Sequence, residues 1–223
     1  MIEWLIGVVE WLIRILPKML MGSGITLLIA SVGLVVGLIF GLLLALGRLS
    51  KNKIIDRICF VYIWLFRGTP LLMQLFFIYY ALPLIYKPLS LEALPAAFIA
   101  FSLNSAAYLA EIIRAAIQSI DKGQMEASKA LGMGYGQAMK RIIIPQSYRR
   151  LIPPVGNEFI MLLKDTALVS ILAMSDLMRV TDQNASASAS AAVYIPAAIL
   201  YLLMTTILTY FFERLEKRYS VYE

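Results

Sequence analysis

From residue 25 to residue 46 the chain carries no charged side chain. A run of roughly 20 apolar residues is what an α-helix needs to cross the hydrocarbon core of a bilayer. The rest of the sequence follows suit. Of 223 residues, 61% are hydrophobic and 15% charged, against about 45–50% and about 25% in soluble domains. A soluble enzyme, a disordered tail and a fibrous protein are poor fits to such a composition. Histidine is absent and Cys59 is the only cysteine, which removes disulfides, zinc-finger spacings and Cys–His or imidazole chemistry. The formal charge of +6 does not point to nucleic acid. The basic residues fall in short stretches between apolar runs, the pattern that orients a membrane protein, and not on one solvated face.

Backbone polar groups in lipid must find partners within their own segment, so the spans are helices. Five are predicted, over residues 25–46, 58–86, 95–116, 151–173 and 194–212. The expected fold is all-α, an integral membrane bundle of five transmembrane helices. Residues 1–22 read as an amphipathic extracytoplasmic segment, where Glu3, Glu10, Arg14 and Lys18 interrupt a Trp- and Leu-rich stretch. Trp4 and Trp11 there suit the membrane interface. One membrane domain then covers 23–216, and 217–223 form a tail. Arg48, Lys51, Lys53 and Arg57 follow the first span, and residues 117–150 and the C-terminus add more basic residues. The connections after the second and fourth spans carry only Lys87 and Arg179. The positive-inside rule therefore places the 117–150 loop and the C-terminus in the cytoplasm and the N-terminus outside.

Within these spans a few residues are conspicuous. Gly33, Gly37 and Gly41 recur every fourth residue and share one helix face, where small side chains let a neighbouring helix approach; packing is their expected role. Arg67-Gly68-Thr69-Pro70 interrupts the second span; proline lacks a backbone donor and clashes with the preceding turn, and glycine loosens the chain, so a break or bend is expected. Either a pathway passes near Thr69 and Pro70, or the segment is an interfacial elbow with Arg67 at the membrane edge. Asn104, Tyr108 and Glu111 form a polar stripe on the third span, suited to helix–helix hydrogen bonding or to a pathway.

The cytoplasmic loop, about residues 121–146, holds the decisive motif. Glu126-Ala127-Ser128 is followed by Gly132 and then by Ile142-Ile143-Ile144-Pro145. A short helix over 126–131, a turn at Gly132 and a second helix ending at Pro145 are expected. The pattern resembles the Glu-Ala-Ala loop of ATP-binding-cassette importer permeases, with Ser128 in place of the second alanine. Arg67-Gly68-Thr69-Pro70, Tyr108 to Arg114 and Lys164 to Ser170 resemble the polar amino acid importers within that group. In that family the loop docks on a cytosolic ATPase, so the resemblance implies coupling roles for Glu126, Ala127, Ser128, Gly132, Ile142, Ile144 and Pro145. It also implies an ATPase dimer, a second permease chain (identical or different) and an extracytoplasmic amino acid-binding protein as partners, in the inner membrane of a prokaryote. The chain has no Gly-x-x-x-x-Gly-Lys phosphate loop. No cofactor is expected on it, and ATP belongs to the partner subunit.

Glu158 lies within the fourth span. A carboxylate at a helix centre costs roughly 2.5–3.5 kcal/mol to insert, so it requires a cation, water or a proton. Asn157 and Glu158 are expected to read the side chain of a basic amino acid, with Thr69, Gln74, Asn104 and Tyr108 along the pathway. The alternatives are a salt bridge from Glu158 to Arg67, Arg114 or a partner chain, and a glutamine or glutamate substrate. Lys164 and Asp165 point to different faces and read as interchain or gate residues. An ion-coupled secondary transporter is the rival class, but a convincing internal repeat is missing.

Overall fold

The structure, a computed structural model, describes residues 2–219, with side chains described at residue 11 and from residue 13 onward. Among these residues every regular element is helical. α1 spans Ile2–Arg48 and α2 spans Lys53–Gly68. α3, Leu71–Phe76, continues through a π turn at Phe77–Ala81 into α4, Leu82–Ile85. α5 is Ala93–Gln118, α6 Lys122–Ala130 and α7 Tyr135–Ala138. A second π turn, Met139–Ile143, leads into α8, Ile144–Asp165, which tightens into a 3₁₀ stretch at Thr166–Leu172. α9 is Leu177–Ser188 and α10 is Tyr194–Tyr219.

Three segments are long and apolar enough to cross a membrane, Ile13–Arg48, Ala93–Gln118 and Ala191–Tyr219. A fourth is the pair Lys53–Gly68 and Leu71–Ile85, bent by 103°. The remaining predicted span falls on α8 and its 3₁₀ extension, where Arg149, Arg150, Glu158, Lys164 and Asp165 interrupt the apolar pattern. α8 is packed between α5 and α10; Glu158 and Asp165 are half-buried there, while Arg150 and Lys164 are exposed. Of the most apolar stretch of α5, 67% is buried, against 33% for α1 and 17% for the last helix. α5 is therefore the central helix, and α10 turns Leu202, Leu203, Ile207 and Phe211 outward, as a lipid-facing helix does.

α1 packs along α5 more extensively than any other pair of elements, and the glycine stripe explains why. A Cβ on Gly33 would lie 3.2 Å from the Cβ of Phe101, one on Gly37 2.8 Å from Ser105 Oγ, and one on Gly41 2.9 Å from the Cβ of Leu109. In lipid, where apolar surface alone gives helices little reason to associate, such close backbone approach supplies much of the attraction.

One boundary differs from expectation. Pro145 does not end the second loop helix: the chain continues from the π turn directly into α8, with Pro145 in its first turn. Proline lacks the N–H that a continuous helix would direct back one turn, and the π turn just before it is where the ladder is interrupted. The expected division at residue 22 leaves no mark on the backbone, because α1 runs unbroken through it. Ile15 and Met19 are buried while Arg14 and Lys18 are exposed, and Trp11 packs on the core. Trp4, Glu3 and Glu10 lie outside the described side chains. Gly22 abuts the Asp176 backbone, 2.9 Å from where its Cβ would be, which seats the start of α9 against α1.

Candidate functional site

The break between α2 and α3 follows from Pro70. In a continuous helix the carbonyl of Phe66 would accept from the N–H of residue 70, which proline lacks. Side chains fill the gap. Gln74 Nε2 donates to the Phe66 carbonyl at 2.8 Å, to the Thr69 carbonyl at 3.0 Å and to Thr69 Oγ1 at 2.9 Å. Thr69 Oγ1 donates in turn to the Leu65 carbonyl at 2.8 Å. Asn104 Nδ2, from α5, donates to Gln74 Oε1 at 3.0 Å and to the Phe66 carbonyl at 3.3 Å. Irregular backbone within a membrane protein persists only where its polar groups are satisfied in this way. The elbow is thereby fixed to the central helix.

Beside the elbow opens a cleft of about 580 Å³ between α3, α5 and α8, within the usual size range of small-molecule sites. Thr69, Asn104, Tyr108, Asn157 and Glu158 all line it. Gln74 does not: it is 8% exposed and stands behind Asn104, its amide spent on the elbow. Asp165 lines the cleft as well, while Lys164 next to it is exposed. Asp165 was legible in the sequence, since it lies two helical turns from Glu158 on the same face of α8.

Among the described residues, Glu158 and Asp165 are the only charged side chains lining this cleft. Among the described residues neither forms an ion pair. The two arginines that might have served Glu158 are engaged by Glu111 instead. Arg114 Nε donates to Glu111 Oε1 at 3.1 Å, and Arg67 Nη1 lies 3.8 Å from Glu111 Oε2. The Arg67 guanidinium also stacks over the Tyr108 ring, 5.3 Å from its centroid. The polar stripe of α5 is thus divided. Asn104 and Tyr108 face the carboxylate cleft, and Glu111 belongs to a neighbouring arginine-rich cleft that Tyr108 also lines. A larger cleft of about 680 Å³ lies between α1 and α9, lined by Lys18, Gln183 and Asn184 among others, and holds none of the predicted pathway residues. No cluster of metal-ligating side chains occurs among the described residues.

The loop motif forms a second, separate feature. Asp121 caps α6, its carboxylate accepting from the Gly123 N–H. At the other end the N–H of Met133 donates to the Ser128 carbonyl at 3.0 Å and that of Gly132 to the Lys129 carbonyl at 2.9 Å. This is the Schellman arrangement, which needs a left-handed residue just past the helix. Gly132 supplies it, with φ of +77°. Glu126, Ala127 and Gly132 are exposed, Ile142, Ile144 and Pro145 are half-buried, and Ser128 is buried, its hydroxyl donating to the Gln124 carbonyl. Leu131 and Tyr135, on either side of the turn, are 82% and 61% exposed.

A family profile described as "Binding-protein-dependent transport system inner membrane component" matches residues 37–221. The glutamine transport system permease GlnP of Escherichia coli (strain K12) is 35% identical over 207 residues, 92% of this chain and 94% of that protein. The arginine transport system permease ArtQ of Bacillus subtilis (strain 168) is 40% identical over 209 residues, 91% of this chain and 93% of that one. A crystal structure of an amino acid ABC transporter with histidines contains a chain 37% identical, with a TM-score of 0.87, covering 94% of this chain and 97% of that one. The chain belongs to this family: it is the multi-pass inner-membrane permease subunit of a polar amino acid importer of the ATP-binding-cassette class, a transport component whose ATPase is a separate subunit.

Proposed function

We propose that the importer carries cationic amino acids, arginine, lysine or histidine, and that the cleft of Glu158 and Asp165 is where the chain holds them. One observation carries this reading: two carboxylates line a cleft with no basic side chain among the described residues of its wall. Partly buried carboxylates without an internal cation are costly, and a guanidinium or ammonium arriving between them offsets that cost. The names of the arginine permease and of the transporter with histidines favour the same class, and the glutamine permease stands for the alternative. The test is ATP-driven uptake of labelled arginine by the importer reconstituted with its ATPase and binding protein, with unlabelled competitors. Lysine, histidine and arginine are expected to compete well and glutamine and glutamate poorly. Preference for glutamine or glutamate would overturn the cationic reading and leave the importer class intact.

In this reading Glu126, Ala127, Ser128, Gly132, Ile142, Ile144 and Pro145 form the surface that receives the ATPase, and the N-terminus lies outside with the C-terminus in the cytoplasm. ATP closes the two ATPase subunits, the loop transmits their motion, and paired permease bundles, of one chain or of two, open the cleft outward. ATP itself stays on the partner subunit, and hydrolysis returns the cleft inward. Because α8 continues directly from the π turn after α7, force on the loop reaches the helix that bears Glu158. Gly132 is the sensitive point. A non-glycine residue in the left-handed region costs about 1–2 kcal/mol, a factor of roughly 5–30 in an equilibrium. Gly132→Val is expected to lower ATP-driven uptake by about that factor, and Gly132→Asn, which tolerates the conformation better, by much less. A Cβ there meets nothing within 4 Å, so a packing clash within the chain is not the cause. Equal uptake by all three proteins would remove Gly132 from the coupling path.

A further inference from the structure

The hydrogen bonds of the elbow run in one direction only. Thr69 Oγ1 gives its proton to the Leu65 carbonyl and so can only accept from Gln74. Two backbone carbonyls, of Phe66 and Thr69, surround the same end of the Gln74 amide, and carbonyls cannot donate. Nε2 must therefore occupy that end, and Oε1 must point toward Asn104. There it accepts from Asn104 Nδ2, which the Phe66 carbonyl also engages. Both donors of the Asn104 amide are committed, and its Oδ1 makes no hydrogen bond within the described residues. Asn104 lines the cleft, so the group it has left for a ligand is an acceptor.

The geometry points to Gln74 as a positioning residue for selectivity: by fixing the amide of Asn104, it presents Oδ1 to the cleft beside the carboxylates of Glu158 and Asp165. Such a wall suits a side chain that only donates, a guanidinium or an ammonium. A carboxamide, which must place a carbonyl somewhere, finds one more acceptor where it needs a donor. An amide free to rotate would serve either ligand, so the bias comes from Gln74 and the backbone behind it. This inference rests on the cleft being the ligand site, and it names what sets the ligand class there.

The test is equilibrium binding of labelled arginine and labelled glutamine to the detergent-purified permease–ATPase complex, with the binding protein omitted so that its own preference does not enter. Gln74→Met keeps the length and bulk of the side chain and releases the Asn104 amide. The ratio of arginine to glutamine affinity is expected to fall about tenfold, the scale of one misdirected hydrogen bond to a polar ligand. In an Asn104→Ala background the same substitution should leave the ratio unchanged, because Gln74 acts through Asn104. Asn104→Asp, whose side chain presents acceptors however it turns, should hold the ratio at or above the wild-type value; this arm stands even if Gln74→Met fails to fold. A merely structural Gln74 would weaken both ligands alike and leave the ratio fixed, which overturns the assignment, as would a fall in the ratio for Asn104→Asp. The wild-type ratio itself judges the cationic-substrate reading. The differences between variants judge Gln74, whichever ligand the wild type prefers.

Discussion

Gly41→Leu is expected to prevent α1 and α5 from docking and to lower the melting temperature of the detergent-purified chain by at least about 6 °C. The first atom of the new side chain would already lie 2.9 Å from the Leu109 Cβ and 3.1 Å from both the Ala106 carbonyl oxygen and the Ala110 nitrogen. Two of those three neighbours are backbone and the third is a Cβ fixed to it, and none can rotate away as a side-chain end does. Overpacking of a tight contact costs about 1–3 kcal/mol and occasionally more. At roughly 2–4 °C per kcal/mol for a chain of this size, a cost near the top of that range gives the expected drop. Relief requires the helices to part, and α5 carries Asn104 and Tyr108, so the cleft wall moves with it. Two controls grade the effect. Gly33→Ala meets the Phe101 Cβ at 3.2 Å and the Phe101 backbone no nearer than 3.6 Å, and Gly24→Ala meets nothing within 4 Å. The first should cost little, and the second should be neutral or slightly stabilising because alanine favours helix. A melting temperature for Gly41→Leu within about 2 °C of wild type would show that the stripe does not hold the bundle together.

That stripe was legible in the sequence because small residues at every fourth position can share only one helical face. The sequence also marked the elbow, since Gly68 and Pro70 together weaken the helix there, and the cleft, since six of its lining residues are polar groups in apolar segments. What sequence left open was pairing. Glu158, Glu111, Arg67 and Arg114 allow several ion pairs on paper. Only the packing of α2 against α5 shows that Glu111 takes both arginines and leaves Glu158 without one. Gln74 shows the same limit. Its polar side chain in an apolar segment reads equally as wall or brace, and the deciding fact is that Pro70 orphans a carbonyl within its reach. Spacing placed Asp165 on the Glu158 face, but adjacency to Lys164 suggested a paired role, and the exposed Lys164 side chain turns away from the cleft. The continuation of the loop into α8 escaped a sequence reading for a different reason. Proline weakens a helix without always ending it: Pro17 lies inside α1 and Pro153 and Pro154 inside α8, and the π turn that carries the chain past Pro145 has no residue signature.

Glu158→Gln should weaken arginine binding to the permease–ATPase complex on the order of 100-fold while leaving glutamine binding within about threefold. The substitution preserves shape and hydrogen-bonding length and removes one charge. A cation about 4 Å from a carboxylate gains about 4 kcal/mol at an effective dielectric near 20, against about 1 in water. The difference of about 3 kcal/mol corresponds to roughly two decades in affinity. Glu158 is half-buried on α8 and faces Asn104 and Tyr108 across the cleft, so the higher figure applies more nearly than the aqueous one. The effect must appear in binding and in uptake together, because the same group would hold the ligand in both. If Glu158 instead paired with a basic residue of a second permease chain, its neutralisation would strand that cation in the membrane, and breaking a buried pair by losing one partner costs about 3–5 kcal/mol. The loss would then fall on assembly, measured by co-purification of the ATPase, and arginine and glutamine would suffer alike. A selective loss of arginine with assembly intact fits only a carboxylate that meets the ligand. Equal loss of both amino acids together with the complex would return Glu158 to a structural role and leave Asp165 as the single carboxylate able to receive a cation.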